Sequence, residues 1–211
     1  MTEESLLSHQ ILEIGKNQLP QDKFDEALVL VKESLDDKNL ENVAEKLWSL
    51  VNYRIPISDM TAKQLLDYVA YDLRAKLDPW RMRGICQSAI QSVEVICKLI
   101  WKETRNNPDL SFFDPPFGPV IRNLKDQEII ELKTVNDLDH LVKYARNPGT
   151  HTIKMNYSGR KHFYSIQDTI MILYIVAALT RKLIPLIIYD YEWKCLDKDW
   201  KNIDETEHKL E

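Results

Sequence analysis

Apolar residues recur along this chain at helical spacing, in separate blocks divided by prolines and charged stretches. Residues 4–16 carry Leu7, Ile11, Leu12 and Ile14. Pro20 followed by Asp22 reads as the first turn of a second helix, with Phe24, Ala27, Leu28, Leu30 and Val31 inward. Residues 40–52 repeat the pattern with Leu40, Val43, Ala44, Leu47, Leu50 and Val51, and Pro56 closes that block. Ser58 or Asp59 is positioned to cap a further helix whose stripe is Leu65, Leu66, Tyr68, Val69 and Leu73. After Asp78-Pro79, residues 80–103 set Ile85, Ala89, Val93, Ile96, Cys97 and Ile100 along one side, a clean 3.6-residue period.

The second half is more broken. Residues 106–119 hold four prolines and read as a loop with aromatic anchors, and Pro119 is expected to start a short helix reaching Leu132. Thr134 with Asp137 three residues on resembles a capping box, opening a helix with Leu138, Leu141, Val142 and Ala145 inward. Pro148-Gly149 ends it, because proline lacks an N–H and excludes helical geometry from its predecessor. Residues 153–157 and 162–166 alternate around Ser158-Gly159, the pattern of a small β-hairpin. A last helix is expected over 167–189, followed by a polar tail. Five glycines are few for a sheet-rich fold, so the class predicted is all-α.

Composition narrows the setting. With 211 residues, 44% hydrophobic and 29% charged, the chain has the make-up of a folded globular protein rather than a disordered one. The acidic start shows no basic segment followed by an apolar run, so no secretory signal is expected. Cys86, Cys97 and Cys195 fall in no metal-ligand spacing. On one helix Cys86 and Cys97 would stand roughly 16 Å apart, too far for a disulfide, so free thiols in a reducing cytoplasm are expected. The apolar run over 170–179 meets Arg181 and Lys182, and Pro185 breaks the apolar residues beyond them. A membrane span needs about 20 apolar residues, and central cations cost about 2.5–3.5 kcal/mol each, so a buried core helix rather than a span is expected.

A net charge of −5 argues against a broad nucleic-acid-coating surface, but the charge is unevenly spread. From His140 to Gln167 there is no Asp or Glu, while Lys143, Arg146, Lys154, Arg160 and Lys161 stand there with three of the five histidines. Such a patch suits one anion better than a long groove.

Within that window, Arg146-Asn147 followed by His151 has an arginine, a polar neighbour and a histidine five positions on. The bare spacing is common, with about 0.6 chance occurrences expected at this composition. Three points of context add to it. Arg105-Asn106 and Arg122-Asn123 have no histidine at that distance. Arg146 closes an amphipathic helix, and the Pro148-Gly149 break can turn His151 back toward it. The helix upstream carries Glu94-Val-Ile-Cys97-Lys98. Together these resemble the Arg-x4–6-His motif and preceding helix of the HEPN superfamily, in particular its abortive-infection-type domains. The resemblance covers roughly residues 60–190. After His151 this chain has Thr152 where a glycine often stands in that group.

The resemblance implies a HEPN-like helical bundle over 58–195, with an N-terminal helical extension over 1–57 and a polar tail over 196–211. It implies a metal-independent endoribonuclease acting on RNA by 2′-hydroxyl attack to a 2′,3′-cyclic phosphate, in the manner of a toxin or antiviral effector. No cofactor is implied. One histidine per chain implies a homodimer with a composite site, and a regulatory or antitoxin protein is a further expected partner. His151 would be the acid and base, Arg146 the phosphate clamp, and Asn147 an orienting or phosphate-binding group. Lys143, Lys154, Arg160 and Lys161 would contact substrate. The residue types fit the chemistry: histidine titrates near neutrality, and arginine stays protonated with a planar fork for phosphate oxygens.

Plainer readings stand beside these. Cations favour a helix C-terminus in any case, and Asn147 is an ordinary C-cap. Lys143 fits a solvated face, and Lys154, Arg160, Lys161 and His162 fit an exposed turn. His140 with Asp137 one turn back reads as a surface pair. Glu94 and Lys98 read as an i,i+4 surface pair, or Glu94 as a buried carboxylate orienting Arg146. Tyr144, Tyr157 and Tyr164 are more simply packing than base-stacking groups. A catalytically silent HEPN-like module serving dimerisation or protein interaction is the alternative function, and a generic helical adaptor is a third.

Overall fold

The computed structural model describes residues 2–51, 68, 79–104, 115–143 and 165–187, and among these every regular element is helical. A 3₁₀ turn over Glu3–Leu6 leads into α1 (His9–Gln18) and α2 (Gln21–Glu33). A second 3₁₀ turn precedes α3 (Leu40–Val51). The long α4 spans Pro79–Thr104, α5 Phe117–Asp126, α6 Leu132–Leu141 and α7 Ile166–Leu183. Of the helix expected after Ser58, Tyr68 alone is among the described residues; it is helical but 48% exposed, not part of a buried stripe. The hairpin expected over 153–166 lies outside the described residues up to 164, and Ile166, expected to end its second strand, is instead the first residue of α7.

The bundle is built around α7. Every residue from Thr169 to Thr180 on this helix is buried, so this stretch has no solvent face. It packs against α4, α1, α2 and α3, while α5 bridges α4 to α6 and α6 returns to α1. A helix apolar all round has to be enclosed on every side, and four helices do that here. By length and composition alone the 21 residues Ile166–Leu186 are long and apolar enough to cross a membrane; in this fold they are 72% buried. The stripe expected on α4 is the one buried: Ile85, Ala89, Val93, Ile96, Cys97 and Ile100 all belong to the core. Leu7, Ile11, Ile14, Phe24, Ala27, Leu30, Val31, Val43, Leu47 and Val51 join it, so the first 51 residues supply one wall of the same core.

Where α1 meets α7, Gly15 faces Met171. A Cβ on Gly15 would lie 2.8 Å from Met171 Sδ and 3.3 Å from Phe24 Cε2. Glycine there leaves room for the Met171 and Phe24 side chains, and a larger residue would have to displace the thioether.

Two expected boundaries move. The helix expected to run from Pro119 to Leu132 starts at Phe117 and stops at Asp126. Pro119 is tolerated in the first turn because the first four N–H groups of a helix have no partner within it. The stop is a Schellman turn. Glu128 adopts φ 56°, its N–H donates to the Lys125 carbonyl at 2.9 Å, and the Ile129 N–H donates to the Leu124 carbonyl at 3.0 Å. Glycine normally holds that left-handed position, so a glutamate there gives no signal in the sequence.

The second correction concerns Thr134 and Asp137. The helix begins after Glu131, which places Thr134 inside the first turn and Asp137 a turn further in, both buried. They form no capping box. A Ser-x-x-Asp cap exists instead at Ser165, whose Oγ accepts from the Asp168 N–H at 3.0 Å and fixes the start of α7. The Asp168 carboxylate in turn accepts from the Ser8 N–H at 2.9 Å, tying the start of α7 to the start of α1.

Candidate functional site

The acid-free window begins on α6, and the forces that hold this helix differ from those on α7. Val135, Leu138, Leu141 and Val142 face the core. The remaining anchors are polar. Asp137 is buried and accepts from Gln18 Nε2 at 2.6 Å and Asn17 Nδ2 at 3.2 Å, at the C-terminal end of α1. At the other end, Lys182 on α7 donates to Glu131 Oε2 at 3.0 Å and to the buried Thr134 hydroxyl at 2.8 Å. Both contacts couple residues 48 or more apart in sequence. They fix the rotation and tilt of the helix from which the chain runs on toward Arg146.

Of the seven candidate site residues, Lys143 lies among the described ones. It is exposed, one residue past the C-cap of α6, and its ammonium is paired with the Asp139 carboxylate one turn back. Arg146, Asn147, His151, Lys154, Arg160 and Lys161 lie outside the described residues, as do Tyr144, Tyr157, Tyr164 and His162. The surface pairing expected between His140 and Asp137 gives way to the one just described: the Asp137 carboxylate turns inward to Asn17 and Gln18, while His140 is exposed.

Glu94 and Lys98 are not the surface pair expected. Lys98 Nζ stands 3.5 Å from Glu94 Oε1, with the two side chains only 16% and 7% exposed. A pair this deep is costly to break, because both charges are held largely away from water. Glu94 also lies one turn before Cys97, whose thiol is pushed up to about 12 by burial first and by the Glu94 charge second. Cys86 is likewise pushed up to about 12 by burial, against the lowering effect of its contact with Thr169 at 3.5 Å. Thiols held protonated in this way are poor nucleophiles. Tyr174 is similarly raised well above the usual phenol range by burial and by the Glu26 carboxylate that accepts its hydroxyl proton at 2.7 Å. Among the described residues, no group of three or more His, Cys, Asp or Glu is placed to hold a metal ion.

Sequence reasoning missed two residues that position this region. Asp137 left no trace because its partners are 119 and 120 residues away. Ser165 did leave one: Ser165-Ile-Gln-Asp168 before an apolar run is a helix-start signature, and it sets where the stretch after α6 rejoins the bundle. No family model matches this chain, and no curated protein or solved structure matches it either.

Proposed function

We propose that this chain is a metal-independent endoribonuclease of the HEPN type, acting inside the cell as a toxin or antiviral effector. The observation that supports the reading most is the placement of the motif. Arg146-Asn147 and His151 follow 5 to 10 residues after Leu141, the end of a helix tied to the bundle through Thr134 and Asp137, in the 140–167 stretch that holds cations and histidines but no carboxylate. Rigid support close to a reacting group is what a site requires if its geometry is to be held to a fraction of an ångström.

In the proposed reaction the ribose 2′-oxygen attacks the adjacent phosphorus. The P–O5′ bond breaks, leaving a 2′,3′-cyclic phosphate and a 5′-hydroxyl. His151 takes the 2′-hydroxyl proton, and a second His151 from a facing copy returns one to the departing 5′-oxygen, so the working unit is a homodimer. Arg146 holds the non-bridging oxygens as charge builds on them, and Asn147 orients the pair. Lys154, Arg160 and Lys161 add positive potential along the RNA. An effector of this kind needs restraint, and a regulatory or antitoxin-like protein is the partner expected to supply it.

Incubating RNA with the protein in EDTA tests this directly. Products ending in 2′,3′-cyclic phosphate are expected, with loss of at least about 10²-fold in His151→Ala and Arg146→Ala variants whose helicity by circular dichroism is unchanged. Cleavage that survives both substitutions, or none at all from the intact homodimer, overturns the proposal. The net charge of −5 favours a second reading, a silent HEPN-like interaction module, and the second outcome would select it.

A further inference from the structure

We infer that α1 is a brace between α6 and the start of α7, with Asp137 and Asp168 as the positioning residues that seat its two ends. Asp137 accepts from Asn17 and Gln18, at the C-terminal end of α1, at 3.2 and 2.6 Å. Asp168 accepts from the Ser8 N–H, at the N-cap of the same helix, at 2.9 Å. One short helix is therefore bonded to the chain on both sides of the acid-free window. Ser8 and Gln18 are separated by about 15 Å of helix rise, whereas about 30 residues of connecting chain could extend to about 100 Å. The connection by itself sets no separation between α6 and the start of α7, and α1 is bonded to both. The Asp168 carboxylate stands at the N-terminal ends of α1 and α7 together, where helix dipoles favour negative charge, and its own N–H is fixed by Ser165 Oγ. Beside it Gln167 donates to Ser34 Oγ, at the C-cap of α2, at 3.1 Å. Between its ends α1 is held to the core through Ile11, Ile14 and Gly15. A helix of ten residues has little stability of its own, so it opens as one unit, and loosening either anchor reaches the other. The consequence for cleavage rests on the ribonuclease reading above: α1 then acts on the reaction without touching RNA.

Hydrogen exchange read by mass spectrometry tests the brace on the full chain. Ser8→Pro removes the N–H that Asp168 accepts from. Ser8 has φ −65°, which proline adopts, Leu7 before it is extended, and the Ser8 hydroxyl makes no cap bond. Ser8→Ala keeps the N–H and is the control. Asn17→Ala with Gln18→Ala breaks the other end. Either break is expected to quicken exchange about tenfold at both 138–141 and 168–170, the effect of losing a bond to a charged group. Combining the breaks should add less than the sum of the two, because a brace released at one end is already released. Quickening confined to the substituted end, or full additivity, overturns the brace, as does a Ser8→Ala variant that exchanges like Ser8→Pro. Asp168→Ala, which removes the acceptor without introducing a ring, gives the same readout should the proline variant not fold. Cleavage is followed in parallel. If the wild-type protein cuts RNA, Ser8→Pro is expected to lower kcat about tenfold or more, with KM within about twofold. An unchanged kcat removes α1 from the positioning of the site. Coupled exchange without any cleavage keeps the brace and overturns the ribonuclease reading instead.

Discussion

Helices α7 and α6 sit in the same bundle and are held there by different means. α7 is buried from Thr169 to Thr180 and is kept in place mainly by apolar contact, with Asp168 and Tyr174 adding bonds to the start of α1 and to α2. α6 buries one narrow face, through Val135, Leu138 and Leu141, and takes the rest of its placement from Asp137, Thr134 and Glu131 meeting partners on α1 and α7. Apolar burial is strong and undirected, so it fixes α7 in the centre while leaving its rotation to side-chain packing. Hydrogen bonds to a buried carboxylate are weaker in net terms but directional, so they fix which way α6 faces. The helix with the greater share of core energy is thus the structural one, and the helix leading to the candidate site is set by a few polar contacts.

The largest effect separating the two should come from α7. Leu173 is fully buried, and Leu173→Ala is expected to lower stability by about 2–5 kcal/mol in urea unfolding, with the whole bundle unfolding in one transition. A loss below about 1 kcal/mol would mean that α7 is not the centre of the core. Asp137→Ala should cost less, about 1–3 kcal/mol, because it orphans the Asn17 and Gln18 amides at a site partly open to water. A cycle with Gln18→Ala checks the mechanism: coupling of about 0.5 kcal/mol or more is expected, and strict additivity would show that the contact does not hold α6.

How much of this could be read from the chain divides along the same line. The α4 stripe and the apolar run of α7 are local patterns, and both are visible as periodicity. The start of α6 is not, because a Ser/Thr-x-x-Asp sequence does not by itself say whether its side chains cap a helix or bond elsewhere in the fold. Thr134 and Asp137 are themselves buried and bond to Lys182, Asn17 and Gln18, whereas Ser165 and Asp168 make the cap. The end of α5 is hidden because Glu128, not glycine, holds the left-handed position. As for the candidate site, its residue types and spacing are a sequence property. Its support through Asp137 depends on partners more than a hundred residues away, which no local pattern encodes.

The smallest expected effect is a gain, and it tests the turn that aims α6. Glu128→Gly removes the cost of a side chain at φ 56°, and stabilisation of about 1 kcal/mol is expected as a rise in the urea midpoint without a change in slope. Destabilisation instead would show that the glutamate side chain contributes more to this turn than its backbone strain costs.

The central position of α7 also orders events during synthesis. Helices α1 to α4 leave the ribosome before the element they enclose, so their inward faces have nothing to close upon until residues 166–183 have been made. The contacts between α1 and α7 bridge about 160 positions, and forming them means closing most of the chain into one loop. Nascent or truncated chains that stop short of α7 therefore display four apolar stripes at once, a state suited to capture by chaperones or to aggregation rather than to partial function. Completion of the last core helix is the step that turns a string of amphipathic segments into a protein.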